Sequence, residues 1–225
     1  MNLLKFQNVR LAVFDMAGTT VKEHGIIYET LYNTLKAFDY DVEKGDIKKW
    51  HGLNKYRVLD KYLNKHNRYS EKHKINVYKT FDSYLRQEYF FSDKVSLMDE
   101  KMPEKFNKLR SMNIKIGLNT GYPRDIQNEI IKKLHMREFT DSFVSSEDVK
   151  LSRPFPYMIY NLMENHEINS AKQVVKVGDT TNDIWEGLNA GCLKSIGVLS
   201  GAETEEELNK AGADFTVDNV MDLID

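Results

Sequence analysis

The stretch "VRLAVFDMAGTTV", residues 9–21, carries an apolar, β-rich run directly into an acid and a glycine-bearing turn. An unbroken rather than alternating apolar run is typical of a parallel strand that is buried on both faces. The run ends at Asp15, which would place a carboxylate at the carboxyl end of a sheet strand. Ligands of open α/β sheets bind at that edge, so Asp15 is the first candidate functional residue.

Further β-rich runs follow, and helical patterns lie between them. Strands are predicted at 114–120, 141–146, 173–179, 194–200 and 213–217, and helices at 103–112, 125–135, 154–165, 182–190 and 205–211. Strands that alternate with helices predict right-handed crossovers and a doubly wound parallel sheet, an α/β fold. Thr204 and Glu207 predict a capping box at the start of the last helix, and Gly191 predicts the end of the helix before it.

The segment from residue 23 to residue 93 has a different pattern. It carries almost no strand signal, and its apolar and aromatic residues recur at three- and four-residue spacing, which favours helices. An all-helical block between the first strand and the second is an insertion. We therefore expect an α/β core of residues 1–22 and 94–225, and an all-helical cap of residues 23–93 whose tyrosines and phenylalanines form packing contacts.

The totals limit the partners that the chain can have. It has 225 residues, is 41 % hydrophobic and carries a net charge of −2, which argues against nucleic acid or an anionic membrane as the main partner. Cys192 is the single cysteine, so an internal disulfide is excluded and a reducing compartment is favoured. No apolar stretch is long enough to span a bilayer, and we expect a cytoplasmic protein.

The stretch "GDTTND" is a second candidate for chemistry. It places Asp179 and Asp183 four residues apart, across a turn that leads into a helix. Hard oxygen ligands at this spacing suit Mg²⁺, which is held in proteins by one or two carboxylates and water. The alternative is structural: Asp179 would cap the helix, and Asp183 would complement its dipole.

Four motifs, "FDMAGTTV", "LNTGY", "SRPFP" and "GDTTND", occur in this order along nearly the whole chain. In order and spacing they resemble those of the haloacid-dehalogenase superfamily of aspartyl-phosphate enzymes. The resemblance implies a Rossmann-like core with an inserted cap. It also implies catalysis that depends on Mg²⁺ and passes through a phosphorylated aspartate.

The resemblance implies roles for individual residues. Asp15 would be the nucleophile, Thr120 and Arg153 would bind the phosphoryl oxygens, and Asp15, Asp179 and Asp183 would form the Mg²⁺ site. Arg153 stands directly before "PFP" and matches the family pattern better than Lys150. Those roles agree with the chemistry, because phosphoryl transfer needs positive charge around the phosphoryl oxygens and an aspartyl-phosphate divides one hard step into two.

Ala17 departs from the pattern of most phosphatases in this superfamily, which have a second aspartate two residues after the nucleophile. That acid protonates the leaving oxygen, and alanine can contribute only its carbonyl, as a ligand of Mg²⁺. "DMAGTTV", "NTGYPRD", "SRPFPYMI" and "GLNK" (52–55) resemble the phosphonatase branch, the phosphonoacetaldehyde hydrolases. The resemblance implies that Lys55 forms a Schiff base with an aldehyde, and that Thr19, Gly121 and Tyr122 bind substrate.

Two stretches differ from the phosphonatase pattern. Where that branch has a glycine–cysteine stretch, this chain reads "KEHGIIY", and the histidine that accompanies the cap lysine falls near Val58. His24 or His51 could substitute, although a surface or half-buried histidine is the simpler interpretation of either.

Lys55 itself has two interpretations. A Schiff-base lysine must be partly neutral, which requires burial or a nearby cation, and Arg57 and Lys61 are close in sequence. The alternative is a solvated helix lysine.

The sequence thus favours a Mg²⁺-dependent hydrolase of a small phosphonylated or phosphorylated metabolite, with phosphonoacetaldehyde as the first candidate substrate. A phosphate monoester phosphatase, of the phosphoglycolate or sugar-phosphate type, is the second. A phosphomutase is less favoured, because it would need the missing acid, and a dehydrogenase lacks its GxGxxG loop. A non-catalytic ligand-binding relative is the alternative from another class. Phosphonatases pair through their caps, which implies a possible homodimer.

Overall fold

The computed structural model describes residues 8–50, 53–65, 70–90 and 94–224. Its main element is a six-stranded, fully parallel sheet with the strand order β5-β4-β1-β6-β7-β8. The strands are β1 (Leu11–Asp15), β4 (Lys115–Thr120), β5 (Ser142–Ser145), β6 (Val174–Gly178), β7 (Lys194–Val198) and β8 (Phe215–Val217). The predicted parallel α/β sheet is confirmed, with each strand within two residues of its expected start.

The strand β1 lies in the middle of this sheet, between β4 and β6. All five of its residues are buried, which explains why the run is apolar without alternation. Asp15 pairs with Asn119 in the register of β1 and β4. The carboxyl ends of three neighbouring strands therefore bring Asp15, Thr120 and Asp179 to one edge of the sheet.

Helices cover both faces of the sheet. They are α4 (Met102–Ser111), α5 (Arg124–Lys133), α6 (Tyr157–Asn165), α7 (Thr181–Ala190) and α8 (Glu205–Lys210). The prediction for α6 began three residues too early, because Pro156 keeps the residue before it out of the helical region. The capping box of Thr204 and Glu207 and the left-handed Gly191 after α7 are both present.

A two-stranded antiparallel ribbon, β2 (Val21–Lys22) and β3 (Ser96–Leu97), joins the chain on either side of the inserted segment. It was not predicted, because strands of two residues leave no periodic signal. Between them lie α1 (Ile26–Ala37), a 3₁₀ stretch (Lys44–Trp50), α2 (Lys55–Lys65) and α3 (Glu71–Phe90). The insertion is helical as expected, and the domain limits at residues 22/23 and 93/94 stay a prediction.

The aromatic residues of this insertion do pack against one another. Tyr56 lies against Tyr78 and Phe81, with ring centroids 4.6 and 6.0 Å apart, and Trp50 meets Tyr62 at 5.7 Å. None of the described helices has the length and apolar character needed to cross a membrane.

Candidate active site

Three carboxylates meet at the carboxyl edge of the sheet. Asp15 ends β1, Asp179 follows β6, and Asp183 lies in the first turn of α7. One oxygen from each lies within 4.8 Å of the other two, and all three residues are buried. The sequence predicted this group, and the parallel sheet brings it together.

Asp179 has no basic partner among the described residues. Its Oδ1 accepts a hydrogen bond from Thr19 Oγ1 at 3.2 Å, and its Oδ2 accepts one from the backbone N of Ala202 at 2.8 Å. Burial, together with the charges of Asp15 and Asp183, holds the pKa of this carboxyl well above its usual range. A cation at this site would relieve that repulsion.

Two glycines let the surrounding loops close on Asp179. A Cβ at Gly18 would lie 2.5 Å from Asp179 Oδ2, and one at Gly201 would lie 2.0 Å from it. The structural alternative for Asp179 is wrong: Thr180 is the N-cap of α7, and its side chain accepts a hydrogen bond from the backbone N of Asp183.

Arg153 organises the core side of the site. Its Nη2 lies 2.7 Å from Asp15 Oδ1, its Nη1 lies 3.1 Å from Asp183 Oδ1, and its Nε lies 3.1 Å from Glu186 Oε2. Because the guanidinium contacts the Asp15 carboxylate, it lies within reach of an anionic group bound beside that carboxylate. Lys150, the other basic residue near this motif, is exposed.

Lys176 is a second buried cation, which the sequence analysis missed. Its Nζ lies 2.7 Å from Asp183 Oδ1 and 3.5 Å from Glu186 Oε2. Asn119 Oδ1 accepts hydrogen bonds from both Lys176 Nζ (2.9 Å) and Arg153 Nη2 (2.6 Å). Although burial opposes it, the charges of Arg153 and Lys176 keep the pKa of Asp183 below its usual value.

Both missed charges left a signal in the sequence. Lys176 is a charged residue inside the apolar run "VVKVGD", and Glu186 lies three residues after Asp183, on the same face of α7. Four buried carboxylates (Asp15, Asp179, Asp183 and Glu186) face two buried cations (Arg153 and Lys176). If all six groups are charged, two negative charges remain, which fits a divalent cation held by hard oxygen ligands.

The helical insertion supplies Lys55, the first residue of α2. It is only 4 % exposed, so the alternative of a solvated lysine is wrong. Its Nζ lies 4.5 Å from the centroid of the Tyr28 ring and 3.5 Å from the Tyr28 hydroxyl. Burial is the main cause that lowers the pKa of Lys55; Glu23 and Asp15 oppose it, Arg153 adds to it, and the resulting pKa is about 8.

The cations proposed from sequence are not the cause of this shift. Arg57 and Lys61 are both exposed, and the cation that acts on Lys55 is Arg153, which is remote in sequence. Arg57 instead reaches the backbone carbonyl of Lys150 at 3.4 Å.

The start of α2 is held against the core. Asn54 Nδ2 donates a hydrogen bond to Ser146 Oγ at 2.7 Å, and Asn54 Oδ1 accepts one from the backbone N of Arg57 at 3.0 Å. Asn54 therefore caps the first turn of α2 and contacts the loop after β5 at the same time. This contact fixes where Lys55 enters the site.

A small pocket gathers most of the predicted residues. It is lined by Asp15, Ala17, Ile27, Tyr28, Lys55, Thr120, Gly121, Tyr122, Arg153, Asp179 and Thr180. Thr19, expected to bind substrate, is fully buried and donates to Asp179. Thr120 Oγ1 accepts a hydrogen bond from the backbone N of Tyr122 at 3.2 Å, which shapes the turn after β4.

A larger cavity of about 630 Å³ adjoins this pocket and shares Ala17, Tyr28 and Asp179 with it. Residues of α1 and the loop after β7 line it further out. His24 is exposed at its edge, as expected for a surface histidine, and His51 lies outside the described residues. The position of the missing cap histidine, Val58, is buried in apolar packing.

Comparison with known proteins identifies the family. The sequence profile of the haloacid dehalogenase-like hydrolases matches residues 12–198, which contain every carboxylate and every basic side chain of the site described above. The chain belongs to this family. Membership makes the protein an enzyme of the hydrolase class, and the alternative of a non-catalytic relative is not supported.

Curated relatives of this haloacid dehalogenase-like hydrolase carry the name phosphonoacetaldehyde hydrolase. The protein of that name from Syntrophobacter fumaroxidans is 43 % identical over 110 residues, which cover 47 % of this chain and 39 % of the relative. The one from Parabacteroides distasonis is 35 % identical over 144 residues, covering 53 % of this chain and 54 % of the relative. The chain spans about half the length of these relatives or less.

Solved structures share the fold over nearly the whole chain. A phosphonoacetaldehyde hydrolase-like protein from Oleispira antarctica matches with a TM-score of 0.79 at 23 % identity, covering 96 % of this chain and 90 % of the other. A β-phosphoglucomutase from Clostridium difficile matches with a TM-score of 0.80 at 19 % identity, covering 96 % and 93 %. At these identities the likeness establishes the fold.

Proposed function

We propose that this hydrolase cleaves the P–C bond of a small aldehyde phosphonate, with phosphonoacetaldehyde as the first candidate, through a phosphorylated Asp15 and with Mg²⁺. The observation that carries the proposal is the place of Lys55. A buried lysine with a pKa of about 8 lies in the same small pocket as Asp15 and Arg153, beside the alanine that replaces the usual acid. The names of the curated relatives support the same substrate.

Lys55 supplies the first step. Its neutral Nζ attacks the carbonyl carbon of the aldehyde, a proton is taken up, and the carbonyl oxygen leaves as water, which gives an iminium. A lysine with a pKa of about 8 is neutral in a useful fraction near neutral pH, whereas an ordinary lysine is not. The ring face of Tyr28 lies 4.5 Å from this nitrogen and favours its positive forms.

Asp15 supplies the second step. Its carboxylate attacks phosphorus, the P–C bond breaks, and the electron pair moves to the iminium nitrogen to give a neutral enamine. Arg153, 2.7 Å from Asp15 Oδ1, stabilises the charge on the phosphoryl oxygens. Because the iminium takes the electron pair, the leaving carbon needs no acid at position 17, which accounts for Ala17.

Two hydrolyses return the enzyme to its starting state. The enamine is protonated on carbon and hydrolysed, which frees Lys55 and acetaldehyde, and water cleaves the aspartyl-phosphate to phosphate. Asp15 and Asp179, the carbonyl of Ala17, and Asp183 beside them would hold Mg²⁺, which offsets the repulsion between carboxylate and phosphonate when bound.

The decisive experiment is phosphate release from phosphonoacetaldehyde with Mg²⁺, run beside a panel of phosphate monoesters that includes an aryl phosphate. We expect turnover of the phosphonate, and borohydride added during turnover should reduce the iminium and attach the organic part of the substrate to Lys55. Lys55→Ala should abolish both. Lys61→Ala, on the exposed side of α2, is the matched control and should retain both.

Turnover of esters alone, with no labelling of Lys55, would overturn the phosphonatase proposal in favour of a monoester phosphatase. In that case the aryl phosphate should be the best substrate, because a phenolate leaves without protonation and an alkoxide does not.

A further inference from the structure

Glu23 is a buried acid that the mechanism above does not use. It lies just after β2, where the chain enters the helical insertion, and it is 5 % exposed. Its Oε2 accepts a hydrogen bond from the backbone N of Ile27 at 3.2 Å and another from the Tyr89 hydroxyl. No basic side chain of the described residues pairs with it within 4.0 Å.

A chain of hydroxyls links Glu23 to the substrate pocket. The hydroxyls of Tyr89 and Tyr122 lie 2.8 Å apart, and both residues are buried. Because the proton of Tyr89 goes to Glu23, Tyr122 is the donor in the second bond. Tyr122 lines the small pocket with Lys55, so a fully hydrogen-bonded path runs from this pocket to Glu23.

The chain also joins three separate parts of the fold. Glu23 stands at the entry to the insertion, Tyr89 lies at the end of α3, and Tyr122 lies in the turn after β4. The three residues therefore connect both ends of the insertion to the turn that follows Thr120. The substitution Glu23→Gln would keep the hydrogen bonds from Ile27 N and the Tyr89 hydroxyl, because the amide oxygen of glutamine also accepts hydrogen bonds.

Lys55 carries the charge opposite to that of Glu23, and it also forms no ion pair within 4.0 Å among the described residues. Tyr28 contacts it, and Tyr28 borders both the small pocket and the larger cavity that Glu23 lines. The other charges around it are Asp15, Arg153 and Asp179. Arg153 forms an ion pair with Asp15, and Asp179 belongs to the group of three carboxylates that could hold a metal ion. Glu23, in contrast, has no cation within ion-pair distance among the described residues.

Charges in a buried, low-dielectric region interact over more than contact distance. Glu23 acts on the pKa of Lys55 more strongly than Asp15, Arg153 or Asp179 do, and it opposes the effect of burial.

We propose that Glu23 is the counter-ion and positioning residue of Lys55, and that Tyr89 and Tyr122 hold its carboxylate in place at the edge of the substrate pocket. The proposal deepens the proposed function, on which its catalytic meaning rests. An iminium on Lys55 carries the same positive charge as the ammonium, so Glu23 stabilises both.

The test measures Lys55 directly and needs no substrate. The Mg²⁺-loaded protein is methylated with ¹³C-formaldehyde and cyanoborohydride, the Lys55 signal is assigned with Lys55→Arg, and it is titrated by NMR from about pH 6 to about pH 10. In Glu23→Gln the ammonium loses its counter-ion, so the midpoint should move to lower pH by about one unit, a roughly tenfold change in neutral amine at fixed pH.

Two further variants keep the result interpretable. Glu29→Gln makes the same charge change at an exposed position of α1 and should leave the midpoint where it is. Tyr89→Phe removes one hydrogen bond from Glu23 without removing its charge, and should give a smaller shift in the same direction. If circular dichroism shows that Glu23→Gln does not fold, Tyr89→Phe tests the proposal in its place.

Coincident midpoints in the wild type and Glu23→Gln would overturn the proposal, because they would mean that Glu23 carries no charge that Lys55 feels. This result is distinct from a failure of the proposed function, which would appear as absent phosphonate turnover and absent borohydride labelling while the titration shift is intact.

Discussion

The basic side chains on the two sides of the pocket differ in how they are paired with acids. On the core side, Arg153 and Lys176 each contact two or more acceptors, and the distances to Asp15, Asp183 and Glu186 fall between 2.7 and 3.5 Å. On the insertion side, Lys55 lies on the ring of Tyr28 and forms no ion pair within 4.0 Å among the described residues.

The difference shows what each side can do. Cross-paired charges hold their ionised forms and their geometry, as catalysis by a preorganised nucleophile and guanidinium requires. A buried amine with no ion pair within 4.0 Å is more easily deprotonated than a solvated one, as covalent chemistry with a carbonyl requires. In the proposed function, the core side therefore acts on phosphorus and the insertion side acts on carbon.

The largest effect is expected from the core side. Asp15→Asn removes the proposed nucleophile and should lower kcat for every substrate by at least about a thousandfold, because among the described residues no other carboxylate contacts Arg153 Nη2. Steady-state phosphate release checks this, with circular dichroism to confirm folding. A rate within a few-fold of wild type would mean that Asp15 is not the nucleophile.

Removing a buried cation should lower the free energy of unfolding more than removing a surface cation does. Lys176→Met leaves Arg153 as the one basic partner of Asp183 and Glu186 among the described residues, and should cost about 3 kcal/mol of unfolding free energy. The matched control is Lys194→Met, which breaks a half-exposed pair with Asp214 and should cost less than about 1 kcal/mol. Urea unfolding monitored by fluorescence measures both, and equal losses would contradict the comparison.

The pH dependence should differ between substrates. Lys55 must be neutral to attack, so kcat/KM for phosphonoacetaldehyde should rise about tenfold per pH unit below its pKa of about 8, and level off above it. Hydrolysis of an aryl phosphate does not need the amine, so its pH profile should lack this rising limb below about pH 8. The same limb in both profiles would assign it to a group on the core side.

The smallest effect is expected at Tyr28. Tyr28→Leu removes the ring face beside Lys55 Nζ, which should lower the pKa of the amine by up to about one unit and move the limb to lower pH. Tyr28→Phe keeps the ring and loses only a hydroxyl at 3.5 Å, so its limb should lie near that of the wild type. Equal shifts in the two variants would assign the effect to the hydroxyl.

Most of the core side could be predicted from the sequence because its residues follow the ends of parallel strands. The apolar runs predicted the strands, and the carboxyl ends of neighbouring parallel strands must meet at one edge. Asp15, Thr120 and Asp179 therefore come together as soon as the strands are located. Lys176 and Glu186 were missed although a charge in a buried strand and an i, i+3 pair of acids both mark them.

The insertion side was predictable only in part. The resemblance to phosphonatases pointed to Lys55, but nothing near it in sequence predicted how it would be made partly neutral. Arg57 and Lys61 were expected to help and are exposed instead. The main cause is burial, to which Arg153 adds, whereas Glu23 and Asp15 oppose it, and all three charged residues are distant along the chain.

The sequence by itself determined the parallel sheet, the helical insertion, the edge at which chemistry occurs and the residues of the four motifs. These follow from local periodicity and from strand ends, which are short-range properties of the chain. Only the tertiary structure decided the pairing of Arg153 and Lys176, the burial of Lys55 and the link from Glu23 through Tyr89 to Tyr122. Those features depend on how helices dock across tens of residues, because burial and electrostatic distance are set by packing and not by spacing along the sequence.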